Sequence, residues 1–189
     1  MAEQWHCDEQ GAQARSLAWW MKTRQDEPSL NRWLLDQYRG EATAAGRILA
    51  LADHFTSPGS REHRLLAQIA GQERRHADWV AGLLEARRLP VPVQLETARE
   101  RYWKQVLPVI SDLASGAAVG AHAERMRLWR IRAITADSQA PADVREVFVR
   151  ILPEERFHER AFRRLAGAAA LREALDGHER GMAVLGLRP

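Results

Sequence analysis

Glu73-Arg74-Arg75-His76 decides how this sequence is read: an acid three residues ahead of a histidine, inside an apolar run with helical spacing. A helix sets residues i and i+3 on one face, about 4.5 Å apart along its axis, so this pair can reach one ion together. The pattern recurs at Glu155-Arg156-Phe157-His158. Each copy follows a lone glutamate on a preceding helical segment: Glu41 stands 32 residues before the first, and Glu124 stands 31 residues before the second. Glu3-x-x-His6 has the same spacing, but about one such pair arises by chance in a chain of this composition, and this one has no partner helix.

Thr56-Ser57-Pro58-Gly59-Ser60 reads as a turn with Ser60 capping the helix that follows, and Asp137 to Pro141 reads as a second turn. The spacing predicts a helix from Ser29, as N-cap, to about His54, and another from about Arg61 to Arg88. A third runs from about Val109 to Ala136 and a fourth from about Ala142 to Ala170, with Pro153 bending it just before Glu155. Glu41, Glu73 and His76 fall on or beside the apolar stripes of their helices. Pro90 and Pro92 make the stretch from Leu89 to Leu95 too extended for a tight hairpin, which implies a long crossover between helices two and three. Thr97-x-x-Glu100 is a capping-box signal for a segment holding Tyr102 and Trp103, and Pro108 kinks or restarts it. A short helix around Gly11 to Gln25, with Leu17, Trp19, Trp20 and Met21, docks on the main body, and a shorter C-terminal helix begins at Leu171 and reaches at least Asp176.

This reading is all-α. It divides the chain into an N-terminal extension (1–28), a four-helix bundle (29–170), and a C-terminal helix and tail (171–189). The 189 residues suffice for one such domain, and 46% hydrophobic with 28% charged residues is a globular composition. No apolar run reaches the roughly 18–20 residues of a membrane span, and residues 1–13 carry no apolar signal core, so a cytoplasmic location is expected. Cys7 is the single cysteine, which excludes an internal disulfide and any cysteine-built metal site.

The six residues then converge. Glu41 lies about 14 residues before the first turn and Glu73 about 12 after it, so both stand roughly 18–21 Å from that turn at ~1.5 Å per residue. Glu124 and Glu155 each lie about 12 residues from theirs at the same rise. Two hairpins, each presenting one Glu and one Glu-x-x-His at mid-height, can face a common centre. Four buried carboxylates without counter-charge would cost several kcal/mol each, whereas two divalent cations cancel them and neutral imidazoles complete the shell.

Glu…Glu-x-x-His…Glu…Glu-x-x-His resembles the ligand pattern of the ferritin-like di-iron carboxylate proteins, a group that includes bacterioferritins, rubrerythrins and several oxygenases. The resemblance covers about residues 30–168. It implies a ferritin-like four-helix bundle holding two iron ions, with Mn/Fe or Mn/Mn pairs also open. Glu73 and Glu155 would bridge the metals, Glu41 and Glu124 would be terminal ligands, and His76 and His158 would each ligate one metal. Tyr38, one turn before Glu41, is a candidate to support that ligand or simply a core residue. The small residues Gly116, Ala117, Gly120, Ala121, Ala44 and Ala45 serve either a substrate cavity or close helix packing.

Three functions compete on this basis. One is a dioxygen-activating oxygenase or oxidase acting on an organic substrate. Another is ferritin- or rubrerythrin-like iron handling or peroxide removal. The last is an interaction module that keeps the metal. Rubrerythrins typically place an extra carboxylate three residues after the third-helix glutamate and carry paired Cys-x-x-Cys motifs. Here that position is Arg127 and no cysteine pair exists. An N-terminal extension rich in tryptophan would also obstruct a ferritin cage, so the oxygenase reading leads. It calls for an external electron donor and a small-molecule substrate, and leaves a homodimer open. Setting the four glutamates aside leaves 21 acids against 28 cations, 26 of them arginine, so the outer surface is basic. An acidic partner or an RNA is then open, and with it a hydroxylase resembling the ferritin-like tRNA-modifying family.

Overall fold

Asp26-Glu27-Pro28-Ser29 starts the first long helix. Asp26 is extended (φ −123°, ψ 103°), and its carboxylate accepts the Ser29 backbone N–H at 2.9 Å. Pro28 sits in the first turn, where no amide donor is needed. The cap is therefore Asp26, three residues ahead of the expected Ser29, because the proline belongs inside the helix and not before it.

The computed structural model describes residues 9–92, 103, 105–107 and 110–184. Five helices follow one another in them: α1 (Glu9–Thr23), α2 (Glu27–Phe55), α3 (Arg61–Ala86), α4 (Leu113–Ala136) and α5 (Ala142–Val184). The chain is all-helical, with no strand among the described residues. None of these helices is long and apolar enough to cross a membrane. Glu3, His6, Cys7, the capping signal at 97–100, Tyr102, Pro108 and most of the expected crossover lie outside the described residues.

Helix α3 starts as expected: Ser60 is extended and its hydroxyl accepts the His63 N–H at 3.1 Å. It ends through Arg88, which takes a left-handed φ of 55° while the Leu89 N–H reaches back to the Leu84 carbonyl at 2.9 Å. Helix α5 continues through Pro153 with helical dihedrals. Pro153 and Val149, whose turn loses the hydrogen bond, are both exposed, so the missing bond costs little packing. The break falls instead at Gly167 (φ 70°, ψ 169°), a conformation that disfavours any side chain. The C-terminal helical segment thus begins just after Gly167, before the expected Leu171, and reaches Val184.

The chain divides into two compact units. One comprises the described residues of Trp20–Thr97 and Ile134–Ile151; the other comprises those of Met1–Trp19, Ala98–Ala133 and Leu152–Pro189. In the first, α2 and α3 bury Leu34, Leu66, Ile69, Val80 and Leu84, each ~1.5–3 kcal/mol for a large aliphatic side chain. Trp20 is fully buried, its indole N–H donates to Asp137 at 2.9 Å, and its ring meets Trp33 edge-on at 6.0 Å. Trp33 in turn lies 5.1 Å from Phe148. Of the residues expected to dock the N-terminal helix, Trp20 is buried, whereas Leu17 and Met21 are exposed.

In the second unit Ala117, Ala118, Ala121, Leu128 and Ile131 of α4 are buried with Phe162 of α5. The small-residue stretch permits close packing: a Cβ on Gly120 would stand 3.0 Å from the Phe162 ring. Arg125 pairs with Glu9 and approaches the buried Glu159 at 3.8 Å, tying α1 to α4 and α5 within this unit.

Candidate metal centre

The buried stripe of α2 runs Leu34, Gln37, Glu41, Ala45 and Ile48, so an acid occupies a core position. The stripe of α3 does the same with Ile69, Glu73, His76 and Val80. Glu41, Glu73 and His76 each have no exposed surface. One donor atom from each lies within 4.8 Å of the others, and His76 Nδ1 is 4.0 Å from Glu41 Oε2. Gln37, one turn ahead of Glu41, donates its amide N–H to Glu41 Oε1. The Trp79 ring lies 5.6 Å from the His76 ring and carries the Arg150 guanidinium 4.4 Å from its centroid.

The second unit holds a matching set. Glu155 and His158 of α5 are fully buried and Glu124 of α4 is 4% exposed. Their donor atoms also lie within 4.8 Å of one another, with His158 Nδ1 3.7 Å from Glu155 Oε2. Here a cation joins the acids. Arg127 Nη1 is 3.0 Å from Glu155 Oε1 and 3.8 Å from Glu124 Oε2.

All six residues singled out by spacing are therefore buried, three in each unit. Two buried carboxylates packed this closely repel one another unless cations or protons intervene. Glutamate oxygens with imidazole nitrogens suit divalent iron or manganese, and each buried set offers three such donors, so the donor chemistry fits a metal ion in each. Tyr38 is half-buried, and Gln37 is a side chain that hydrogen-bonds Glu41.

Sequence reasoning missed several buried polar residues. Gln37 had a signal, since it precedes Glu41 by four residues on the same face. His122 and His178 gave none. They stack at 4.7 Å in the second unit, with His122 Nε2 2.9 Å from the Leu171 carbonyl, and only the fold brings such distant residues together.

Among known proteins, the family model described as Rubrerythrin matches residues 33–166, well over half of the chain. No curated protein and no solved structure is similar enough to the chain to count as a match. The matched span takes in both acid–histidine motifs and both lone glutamates, and on that match the chain belongs to the rubrerythrin family of the ferritin-like di-iron superfamily.

Proposed function

We propose that the chain is a non-haem di-iron oxidoreductase that activates dioxygen, acting as an oxygenase or hydroxylase on an organic substrate. Residues 29–170 carry the centre, between an N-terminal extension and a C-terminal helix. Glu41, Glu73, His76, Glu124, Glu155 and His158 together hold two iron ions, with Mn/Fe and Mn/Mn pairs also compatible with the donors. Two divalent ions cancel the charge of the four buried glutamates, and membership of a di-iron family supports a metal pair. When bound, such a metal pair supplies redox chemistry with dioxygen or peroxide.

What this chain contributes is the enclosure. Full burial of the ligands excludes bulk water, and Gln37 fixes the Glu41 carboxylate through its amide. The observation favouring an oxygenase over rubrerythrin-like peroxide removal is Arg127. A guanidinium on Glu155 and Glu124 stands where that chemistry places another carboxylate. Electrons come from an external donor, and the basic surface suits an acidic one.

Iron-loaded protein given a chemical reductant tests the reading. Sustained, reductant-dependent oxygen uptake that disappears in Glu73→Ala supports it. Continued oxidation of added ferrous iron far beyond two per chain, with no reductant demand, would instead establish iron handling.

A further inference from the structure

The outer face of α5 changes character along its length. From Leu152 to Ala166 its exposed residues are Pro153, Arg156, Arg160, Arg163 and Arg164, with no acid among them. Elsewhere on the same helix the exposed positions mix signs: Asp143, Arg145 and Glu146 stand before this run, and Arg172, Glu173 and Asp176 after it. Arg163 reaches the buried Glu159 at 3.9 Å. Arg156, Arg160 and Arg164 lie one turn apart on one side of the helix and make no ion pair among the described residues. On α4, burial lowers the pKa of the Arg132 guanidinium, and the charges of Arg125 and Arg156 lower it further, so the positive field extends to a second helix of this unit.

This face does not serve stability. Arginines spaced i, i+4 repel one another, so Arg156 with Arg160 and Arg160 with Arg164 each weaken the helix. Its position gives it a use. Glu155 and His158 lie on the same turns with no exposed surface, while Arg156 and Arg160 point outward. A helix with its side chains is about 10–12 Å across, so a molecule docked on the arginines is about one helix width from those two candidate ligands. From Arg156 to Arg164 the run is about 12 Å long at ~1.5 Å per residue. A patch that short, flanked along the chain by acids, fits the small and transient contact of an electron carrier better than the continuous track an extended polyanion needs.

We infer that the Arg156/Arg160/Arg164 face of α5 is the docking surface for the external electron donor, an acidic one-electron carrier protein. This rests on the di-metal reading above. The donor's carboxylates meet guanidiniums that present forked donors and keep their charge at any physiological pH. Each encounter oxidises the donor by one electron, which the metal pair gains, and no covalent bond forms or breaks. Charge pairing at an exposed rim governs the rate of encounter more than its tightness, so the complex is weak and salt-sensitive.

The test uses full-length, iron-reconstituted protein and dye-labelled plant-type [2Fe–2S] ferredoxin, an acidic one-electron carrier, with fluorescence anisotropy as the readout. Wild type is expected to bind, and to lose about tenfold in affinity between about 20 and about 200 mM salt. The triple variant Arg156→Glu, Arg160→Glu, Arg164→Glu weakens binding by about tenfold or more at the lower salt and keeps its iron content. A control with the same change in net charge at exposed sites elsewhere, Arg32→Glu, Arg61→Glu, Arg64→Glu, changes affinity by less than about threefold. Glutamine at the same three α5 sites serves if the charge reversal does not fold. Ferredoxin binding that is absent, or equal in the triple variant and the control, would overturn the docking surface and leave the di-metal reading standing on its iron content. Tighter binding of a short single-stranded RNA than of ferredoxin, lost in the triple variant, would overturn the protein donor. Wild type that takes up no iron would overturn the donor role together with the di-metal reading.

Discussion

Gln37 shows how much one amide can determine at a buried site. Its N–H donates to Glu41, and both side chains are buried. Gln37→Leu keeps the volume but withdraws the donor. We expect metal affinity to fall by about tenfold, within the usual range for losing an outer-shell partner, measured by competition with a chelator. Asp143 makes a second residue-scale prediction. Burial pushes its carboxyl up, but hydrogen bonds from Arg87, at 2.6 Å, and from the Val144 backbone outweigh it and hold the group below the usual range. A carboxyl lowered on folding binds fewer protons in the native state than in the unfolded chain. Its stabilisation is present above the ordinary aspartate pKa of about 3.9 and is lost as pH falls through the native value. Asp143→Asn should melt below wild type at neutral pH, by less than about 1 kcal/mol because the pair is half exposed, and the gap should close in strong acid.

At the scale of the element, α4 and α5 meet where Gly120 lies under the Phe162 ring. Alanine there gains about 1 kcal/mol of helix propensity but forces the ring to move, an overpacking cost of ~1–3 kcal/mol. Gly120→Ala is expected to lower stability by about 1 kcal/mol in urea denaturation, and Phe162→Leu in the same chain to recover most of that loss. Helix positions were legible because apolar residues recur with helical period and turns carry Pro, Gly, Ser and Asp. Ends were less legible. Asp26 and Ser29 are both good caps, and only the presence of Pro28 between them says the helix has already begun. Gly167 is one of several small residues in its stretch, and its left-handed dihedral cannot be read from its neighbours.

For the molecule as a whole, the six acids and histidines were legible as buried polar positions because acid–histidine spacing recurs on the apolar stripes of long helices. Glu73 and His76 alone would not have sufficed, as Glu3 and His6 show. What the accompanying side chains do was not legible. Arg127 could be recognised as the missing acid, but its seat on Glu155 links residues 28 apart and depends on how α4 and α5 pack. Metal binding to the native state alone should raise stability by about 2.7 kcal/mol per site at a hundredfold excess over Kd, a rise of roughly 5–10 °C in Tm for a chain of this size. Differential scanning fluorimetry with and without Mn(II) reads that directly.

Metal analysis decides whether the buried glutamates and histidines hold a metal pair. Protein reconstituted anaerobically with ferrous iron and desalted without chelator should carry about two irons per chain, falling below about one in Glu73→Ala. Fewer than about one metal per chain in wild type, unchanged by Glu73→Ala, would contradict it.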